Sequence, residues 1–246
     1  MNLSIIIPAL NSDREIERCL SSLKPQLEEE DEIVIVDAAS KDRTLEIASK
    51  YGAKIYLFPE STIGEARHFG VEVAKNEIII QTDTDVKFIP GFLDKVRNYF
   101  AENPELVGVS CGWRDGKGKW LGEIGCAMFE SLFKYADCIM CYRKSAYYQT
   151  EGHPPVSFGE QISLWHQIKR LGLTIYDPEL FVYHYSDGHA QYMSYIIGAS
   201  ILAGGAAYEY GVGGEAGYAM IGHGLGWLAS QAGVDMLKKV EGIEEF

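Results

Sequence analysis

Short apolar runs that alternate with longer amphipathic stretches are the feature that most constrains the fold of this 246-residue chain. The runs are apolar almost throughout, which is typical of strands buried on both faces of a sheet. Strands that alternate with helices predict right-handed βαβ units and a mostly parallel sheet flanked by helices. The predicted strands are Leu3–Ile7, Glu32–Val36, Ala53–Phe58, Glu77–Thr82 and Leu106–Ser110. A capping box at Ser12–Glu15 opens the first predicted helix. Three further helices are predicted at about Lys41–Tyr51, capped by Ser40, at Ile63–Lys75 and at Pro90–Glu102.

Two carboxylates follow the apolar run that ends at Thr82. Residues two apart in extended backbone point the same way, so Asp83 and Asp85 can converge at the end of a strand. Converging anions repel each other unless a cation lies between them, and Mg²⁺ or Mn²⁺ suits oxygen ligands of this kind. Asp and Thr are also ordinary turn residues, so this motif alone leaves a simple turn open.

Polar residues also follow the first two predicted strands, at Asn11 and at Asp37–Asp42. Ligands of open α/β sheets bind outside the carboxyl ends of the strands, so three polar stretches are expected at one edge. That coincidence favours a binding site over three unrelated turns.

The composition excludes several classes of function. The formal charge is −13, from 35 acidic and 22 basic side chains, which argues against a nucleic-acid-binding protein. No phosphate-binding loop or dinucleotide fingerprint follows the first strand. The apolar run Leu3–Ile7 lacks the basic flank and length of a signal peptide, so a cytoplasmic protein is expected.

Four motifs in a fixed order resemble family 2 glycosyltransferases with the GT-A fold. They are Pro8-Ala9-Leu10-Asn11, the stretch from Asp37 to Thr44, Gly64–Gly70 with Arg67 inside it, and Asp83-Thr84-Asp85. The resemblance extends from about Leu3 to Ser186. It implies a GT-A-like α/β domain with a Rossmann-like sheet over residues 1–188. Residues 189–246 leave the family pattern, and their composition predicts a helical C-terminal segment.

The resemblance also implies a role for individual residues. A UDP- or GDP-sugar would be held by Pro8, Ala9, Asn11, Asp37, Ser40, Arg67, Asp83 and Thr84. Mn²⁺ or Mg²⁺ would be held by Asp83, Asp85 and His184, with Asp85 contributing to catalysis through the metal. For His184 the alternative is a histidine at a strand end bonded to the backbone. Arg143 and Gly152 would lie near the acceptor, a sugar or a lipid-linked molecule.

One position departs from the family pattern. The family commonly places an aspartate, its catalytic base, where this chain has Gln161. An amide cannot accept a proton near neutral pH, so the neighbouring Glu160 is the predicted base for an inverting transfer. Asp187 and the pair His184 and His189 are further candidates. A protein that binds the donor without transferring it, and a nucleotidyltransferase, are the alternative functions.

Two further segments carry predictions. The loop Gly112–Trp120 contains basic residues and two tryptophans and is a candidate lid over the donor. Residues 192–208 and 216–234 contain no Asp, Glu, Lys or Arg, and both stretches are rich in Gly and Ala. Such a segment can form a packed helical pair at a homodimer interface, contact a membrane surface, or span a bilayer. No Lys or Arg occurs between Arg170 and Lys238, which disfavours attraction to anionic lipid.

Overall fold

A computed structural model describes residues 1–118, 138–157 and 160–185, and these form one eight-stranded mixed sheet flanked by helices. The strands lie in the order β3-β2-β1-β4-β7-β6-β8-β5. In chain order the elements are β1 (Leu3–Ala9), α1 (Ile16–Leu23), a 3₁₀ turn (Lys24–Gln26), β2 (Glu32–Asp37), α2 (Thr44–Lys50), β3 (Lys54–Leu57), α3 (Ile63–Val73), β4 (Ile78–Thr82), β5 (Val86–Phe88), α4 (Phe92–Glu102), β6 (Leu106–Asp115), β7 (Ile139–Arg143), α5 (Lys144–Tyr147), α6 (Glu160–Ile168) and β8 (Leu173–His184).

The first half of the sheet is parallel, as the alternation of strands and helices predicts. β3, β2, β1 and β4 pair in parallel and in that order. Every residue of β2 and β4 is buried, because helices cover both faces of these strands. Continuous apolar sequence therefore follows from burial on two sides.

The second half of the sheet contains antiparallel pairs that strand alternation did not reveal. β7 runs antiparallel to both β4 and β6, β8 runs parallel to β6, and the short β5 pairs antiparallel with β8 at the edge. β6 also continues five residues beyond the predicted end at Ser110, to Asp115. These pairings join segments that are distant in sequence, so local periodicity does not report them.

Two predicted helix caps are wrong. The Ser12 hydroxyl donates to the Leu10 carbonyl oxygen and caps no helix nitrogen, and α1 begins only at Ile16. Ser40 donates instead to Asp37, and α2 begins at Thr44. Contacts between the two loops determine these ends. A true capping box is present at α3, where Thr62 and Glu65 bond reciprocally.

Close packing of α3 on the sheet positions the residues discussed below. A methyl group at Gly70 would lie 2.3 Å from Cγ2 of Ile6, so the helix approaches β1 more closely than any larger residue permits. α6 packs in turn over β6, where Trp165 lies close to Gly108. α3 and α6 are also in contact with each other.

Among the described residues, no helix is both long enough and apolar enough to cross a membrane. The predicted C-terminal helical segment, residues 189–246, lies outside the described residues.

Candidate active site

Parallel pairing brings the ends of three strands to the same edge of the sheet. Ala9 at the end of β1 pairs with Asp37 at the end of β2, and β4 ends beside them at Thr82. The polar residues that follow these strands are therefore neighbours, as the sequence predicts.

Asp83, Asp85 and His184 form a cluster in which one potential ligand atom from each lies within 4.8 Å of the others. His184 Nε2 is 3.1 Å from Asp85 Oδ1. The pairing of β5 with β8 sets His184 opposite Val86, and the Tyr185 amide donates to the Asp85 carbonyl oxygen at 2.9 Å. Two long-range strand contacts thus bring the histidine to the two carboxylates.

The donor set fits a divalent cation. Carboxylate oxygens suit Mg²⁺ and Mn²⁺, and imidazole is a common ligand of transition metals. The imidazole of His184 is buried and stacks on Trp113 with ring centroids 5.2 Å apart, which fixes its orientation. The cluster therefore provides oriented oxygen and nitrogen ligands for a metal, and its composition does not distinguish Mn²⁺ from Mg²⁺.

Arg67 on α3 lies between two carboxylates. Its Nη2 is 2.5 Å from Asp83 Oδ1, its Nε is 3.1 Å from Glu160 Oε1, and Nη1 donates to the Thr82 carbonyl oxygen at 3.3 Å. Arg67 is only 2% exposed, so the guanidinium charge depends on these partners.

The two carboxylates bonded to Arg67, those of Asp83 and Glu160, differ in their environment. Burial raises the pKa of the Asp83 carboxyl to about 6, and repulsion from Asp85 adds to the rise, whereas the Arg67 guanidinium opposes it. Asp83 keeps 30% of its side chain exposed, so it can reach both Arg67 and a ligand in the cleft. Glu160 is 6% exposed and faces inward at the start of α6.

Gln161 is buried behind Glu160. It is 1% exposed, and its Oε1 has no hydrogen-bond partner among the described residues. An unsatisfied buried oxygen is unfavourable, so its presence next to Glu160 is a feature of this site that packing alone does not explain.

The loops after β1 and β2 are bonded to each other. Asp37 accepts hydrogen bonds from the amides of Ala39 and Ser40, at 3.0 and 2.7 Å, and from the Ser40 hydroxyl at 2.5 Å. The Asn11 amide donates to the Ser40 hydroxyl, and the Asn11 side chain accepts from the Lys41 amide, both at 2.8 Å. Asp37 is fully buried, so it holds the shape of this edge.

The remaining donor residues predicted from sequence lie along the same edge. Pro8 and Ala9 are the last two residues of β1, and Thr84 lies half-buried between the two aspartates. Asn11 has a φ of 49° and is exposed beside them.

Arg143 does not lie near the cluster. It pairs with Ile78, at the end of β4 opposite Asp83, and donates to the carbonyl oxygens of Leu106 and Phe100 at 2.7 and 3.2 Å. These bonds satisfy carbonyls near the end of α4, and the acceptor role of Arg143 stays a prediction.

Gly152 lies on the α3 side of the site. It has a φ of +75°, and a methyl group there would lie 3.0 Å from both His68 Nδ1 and Tyr147 Oη. The next residue, His153, bonds Gln81 of β4 at 2.6 Å. Gly152 is thus a buried turn residue close to the strand that carries the aspartates.

The first part of the segment predicted as a lid, Gly112–Trp120, belongs to the sheet. Gly112–Asp115 belong to β6, and Trp113 is fully buried against His184, so this half of the segment is part of the sheet. Trp120 lies outside the described residues.

Sequence reasoning missed a cleft of about 370 Å³ beside Asp85. Its walls come from the turn before α1, from α1 itself and from the ends of β6 and β8, and include Arg14, Arg18, Lys117 and Tyr185. These residues share no sequence motif, and only the fold brings them together.

Comparison with known proteins agrees with this geometry. The family model described as glycosyl transferase family 2 matches residues 4–147. The glucosyl-3-phosphoglycerate synthase of Petrotoga mobilis is 29% identical over 144 residues, which cover 48% of this chain and 44% of that protein. This chain spans less than half the length of the curated relatives that it matches first.

Solved structures share the fold. S. aureus TarS in complex with UDP-GlcNAc has a TM-score of 0.65 and 19% identity, over 82% of this chain and 67% of that chain. The mannosyltransferase PcManGT from Pyrobaculum calidifontis, in complex with GDP-Man and Mn²⁺, has a TM-score of 0.64 and 16% identity, over 99% of this chain and 76% of that one. The predicted GT-A-like fold is confirmed by these likenesses.

Proposed function

Because the chain belongs to glycosyl transferase family 2, we propose that it transfers a sugar from a nucleoside diphosphate donor to an acceptor hydroxyl, with a divalent cation. The observation that carries this proposal is the cluster of Asp83, Asp85 and His184 at the carboxyl edge of a parallel sheet. Sheets of this type bind ligands at that edge.

The bound ligands of the structural relatives support the same class of donor. TarS is in complex with UDP-GlcNAc, and PcManGT with GDP-Man and Mn²⁺. We therefore expect a UDP- or GDP-sugar here, held with Mn²⁺ or Mg²⁺. The acceptor we propose is a sugar or a lipid-linked molecule.

In this proposal each part of the site has a task. Asp83, Asp85 and His184 hold the cation, which when bound offsets negative charge on the diphosphate as a Lewis acid. The loops ordered by Asp37 and Ser40 contact the nucleoside. Arg67 exchanges its bond with Asp83 for one with a phosphate oxygen, for which its planar fork of donors is suited.

Glu160 is the residue we propose as the base in an inverting transfer. It enters the site from the start of α6 and is held by Arg67 Nε at 3.1 Å. Release of that bond as Arg67 turns to a phosphate would leave the Glu160 carboxylate able to accept the proton of the acceptor hydroxyl.

A second function, donor binding without transfer, is favoured by two observations on α6. Gln161 stands where the family's aspartate is expected, and Glu160 is engaged in an ion pair. Both arrangements reduce the capacity of this helix for proton transfer.

The donor proposal is tested by calorimetry of UDP and GDP binding, with Mn²⁺ and with a chelator. Asp85→Asn should weaken metal-dependent binding at least about tenfold, or roughly 1.4 kcal/mol. Asp94→Asn is the matched control, since Asp94 is an exposed carboxylate paired with Arg97 on α4. Equal affinity with chelator present would contradict a metal-dependent site.

The two functions are separated by slow hydrolysis of the donor, in which water replaces the unknown acceptor. Glu160→Gln should leave donor binding within about threefold and reduce hydrolysis about 10²-fold. If Glu160→Gln has no effect and Gln161→Asp raises hydrolysis strongly, the natural protein is a donor-binding module.

The part of the chain beyond the described residues also enters the proposal. We propose that residues 1–188 form the transferase domain and that residues 189–246 serve a dimer or contact a membrane surface. A cytoplasmic location, at the membrane when the acceptor is lipid-linked, fits this division.

A further inference from the structure

The cleft beside Asp85 concentrates positive charge in a strongly acidic protein. Arg14, Arg18 and Lys117 line it, opposed by the carboxylates of Glu15 and Asp85, in a chain with a formal charge of −13. Asp85 is itself bonded to His184. A local excess of cations within hydrogen-bonding reach of one small volume attracts anions.

Arg14 is exposed and Arg18 half-buried at this cleft, whereas Arg67 and Arg97 are buried. Arg67 and Arg97 each pair with carboxylates. Arg14 and Arg18, in contrast, form no ion pair with a carboxylate in the described part of the chain. Arg14 lies in the turn before α1 and Arg18 in the first turn of α1, and both line the cleft.

Arg18 is held in position by an aromatic ring. Its guanidinium carbon lies 3.7 Å from the centroid of the Tyr185 ring, a favourable cation–π geometry. The other constraint on the ring is Gly116, where a methyl group would approach within 2.6 Å of it. Tyr185 is tied to Asp85 by a backbone hydrogen bond of 2.9 Å. The guanidinium is therefore oriented beside Asp85, and its N–H groups donate no hydrogen bond to the residues that the structure describes.

The charges at the cluster indicate which anion this arrangement serves. Asp83, Asp85 and Glu160 outnumber Arg67, so a divalent cation would offset little more than the carboxylates themselves. A nucleoside diphosphate brings further negative charge, which increases when the bond to the sugar breaks. Additional cations beside Asp85 would offset that charge.

We propose that Arg14 and Arg18, with Tyr185 as the platform, form a phosphate-binding subsite that holds the diphosphate of the donor beside Asp85. This inference rests on the proposed function. Arginine suits the task because its guanidinium can donate two parallel hydrogen bonds to a phosphate.

The test compares binding of UDP and UMP, and of GDP and GMP, by calorimetry in the presence of Mn²⁺. The Arg14→Gln/Arg18→Gln variant should lose at least about tenfold in affinity for the diphosphate. Its affinity for the monophosphate should stay within about twofold of the wild type, because the nucleoside and first phosphate are held elsewhere.

The matched control is Lys50→Gln/Lys75→Gln, which removes the same charge from exposed positions on α2 and after α3. It should bind both nucleotides like the wild type. The subsite is overturned if the Arg14→Gln/Arg18→Gln variant keeps the wild-type affinity for the diphosphates. It is also overturned if this variant and the control lose the same affinity for the diphosphates, because the effect would then come from net charge.

A third arm distinguishes the donor from an anionic acceptor. Inorganic phosphate is titrated into the protein saturated with UDP or GDP and Mn²⁺. If the Arg14→Gln/Arg18→Gln variant binds the nucleotides normally but no longer binds inorganic phosphate, the cleft serves an acceptor, and the assignment to the donor is wrong. If the wild type binds no nucleoside diphosphate, the proposed function is overturned as well. If the wild type binds nucleoside diphosphates and the Arg14→Gln/Arg18→Gln variant binds them equally tightly, only the subsite is overturned.

Discussion

Replacement of Arg67 by methionine should destabilise the protein strongly. Methionine retains much of the buried hydrocarbon volume but leaves Glu160 and Asp83 without their shared cation. Removing one partner of a buried ion pair typically costs about 3–5 kcal/mol. Glu160 keeps only 8% of its side chain exposed, whereas Asp83 keeps 30% and can be hydrated, so we expect a loss near the lower end, about 3 kcal/mol.

The loss of stability in Arg67→Met should depend on the charge of Glu160. If the unpaired carboxylate is responsible, adding Glu160→Gln to Arg67→Met should recover about 1–2 kcal/mol, because no buried charge is then left alone. Urea denaturation of the wild type, both single variants and the double variant measures this coupling. Arg97→Met is the control, since Arg97 is similarly buried and paired but lies away from Glu160.

Metal affinity provides an independent measure. Arg67 occupies an oxygen of Asp83 that a cation would use, so Arg67→Met should bind Mn²⁺ at least as tightly as the wild type, while its affinity for UDP or GDP falls. The reasoning is refuted if the free energy of unfolding of Arg67→Met lies within about 1 kcal/mol of the wild-type value. It is also refuted if adding Glu160→Gln to Arg67→Met destabilises the protein further. Coupling of the same size between Arg97→Met and Glu160→Gln would also refute it.

Three further predictions concern stability. Burial holds the pKa of His153 well below its usual range, so the unfolded chain takes up the proton first as the pH falls. Protonation of His153 in the unfolded state should therefore lower the free energy of unfolding by about 1.4 kcal/mol between pH 7.5 and 5.5. In His153→Gln, urea denaturation should show that this part of the pH dependence is lost. Thr62→Ala should lower the free energy of unfolding by about 1 kcal/mol, because α3 loses its N-terminal cap. Glu15→Ala should change it by less than about 0.5 kcal/mol, because no side chain caps the start of α1, and equal losses in the two variants would contradict the cap assignment. Gly70→Ala should cost about 1–3 kcal/mol in thermal or urea unfolding, because its methyl would lie 2.3 Å from a methyl of Ile6, and a neutral result would mean that α3 moves away from the sheet freely.

Features that depend on local spacing were predictable. The apolar runs of β1, β2 and β4 identify strands, and the expected proximity of Asp83 and Asp85 is present, although a turn at Thr84 and Asp85, not extended backbone, brings them together. The parallel order of these strands follows from the helices between them, so the meeting of three polar stretches at one edge was also predictable. The capping box formed by Thr62 and Glu65 at the start of α3 is another pattern of neighbouring residues.

The resemblance to a known family supplied what spacing did not. His184 could be proposed as a third ligand only through the resemblance, because its approach to Asp85 depends on the pairing of Val86 with His184 across the edge of the sheet. The role near the acceptor that the same resemblance implies for Arg143 stays a prediction; in the structure Arg143 bonds the carbonyls near the end of α4.

The amino-acid sequence by itself determined the alternating strands, the parallel half of the sheet and the pair of carboxylates, because each depends on residues close together along the chain. Only the tertiary structure decided the antiparallel half of the sheet, the clamping of Arg67 between Asp83 and Glu160, and the stacking of Arg18 on Tyr185. Those contacts join segments far apart in sequence, and their geometry is set by which strands pair and how closely helices pack, quantities that no local pattern of residues encodes.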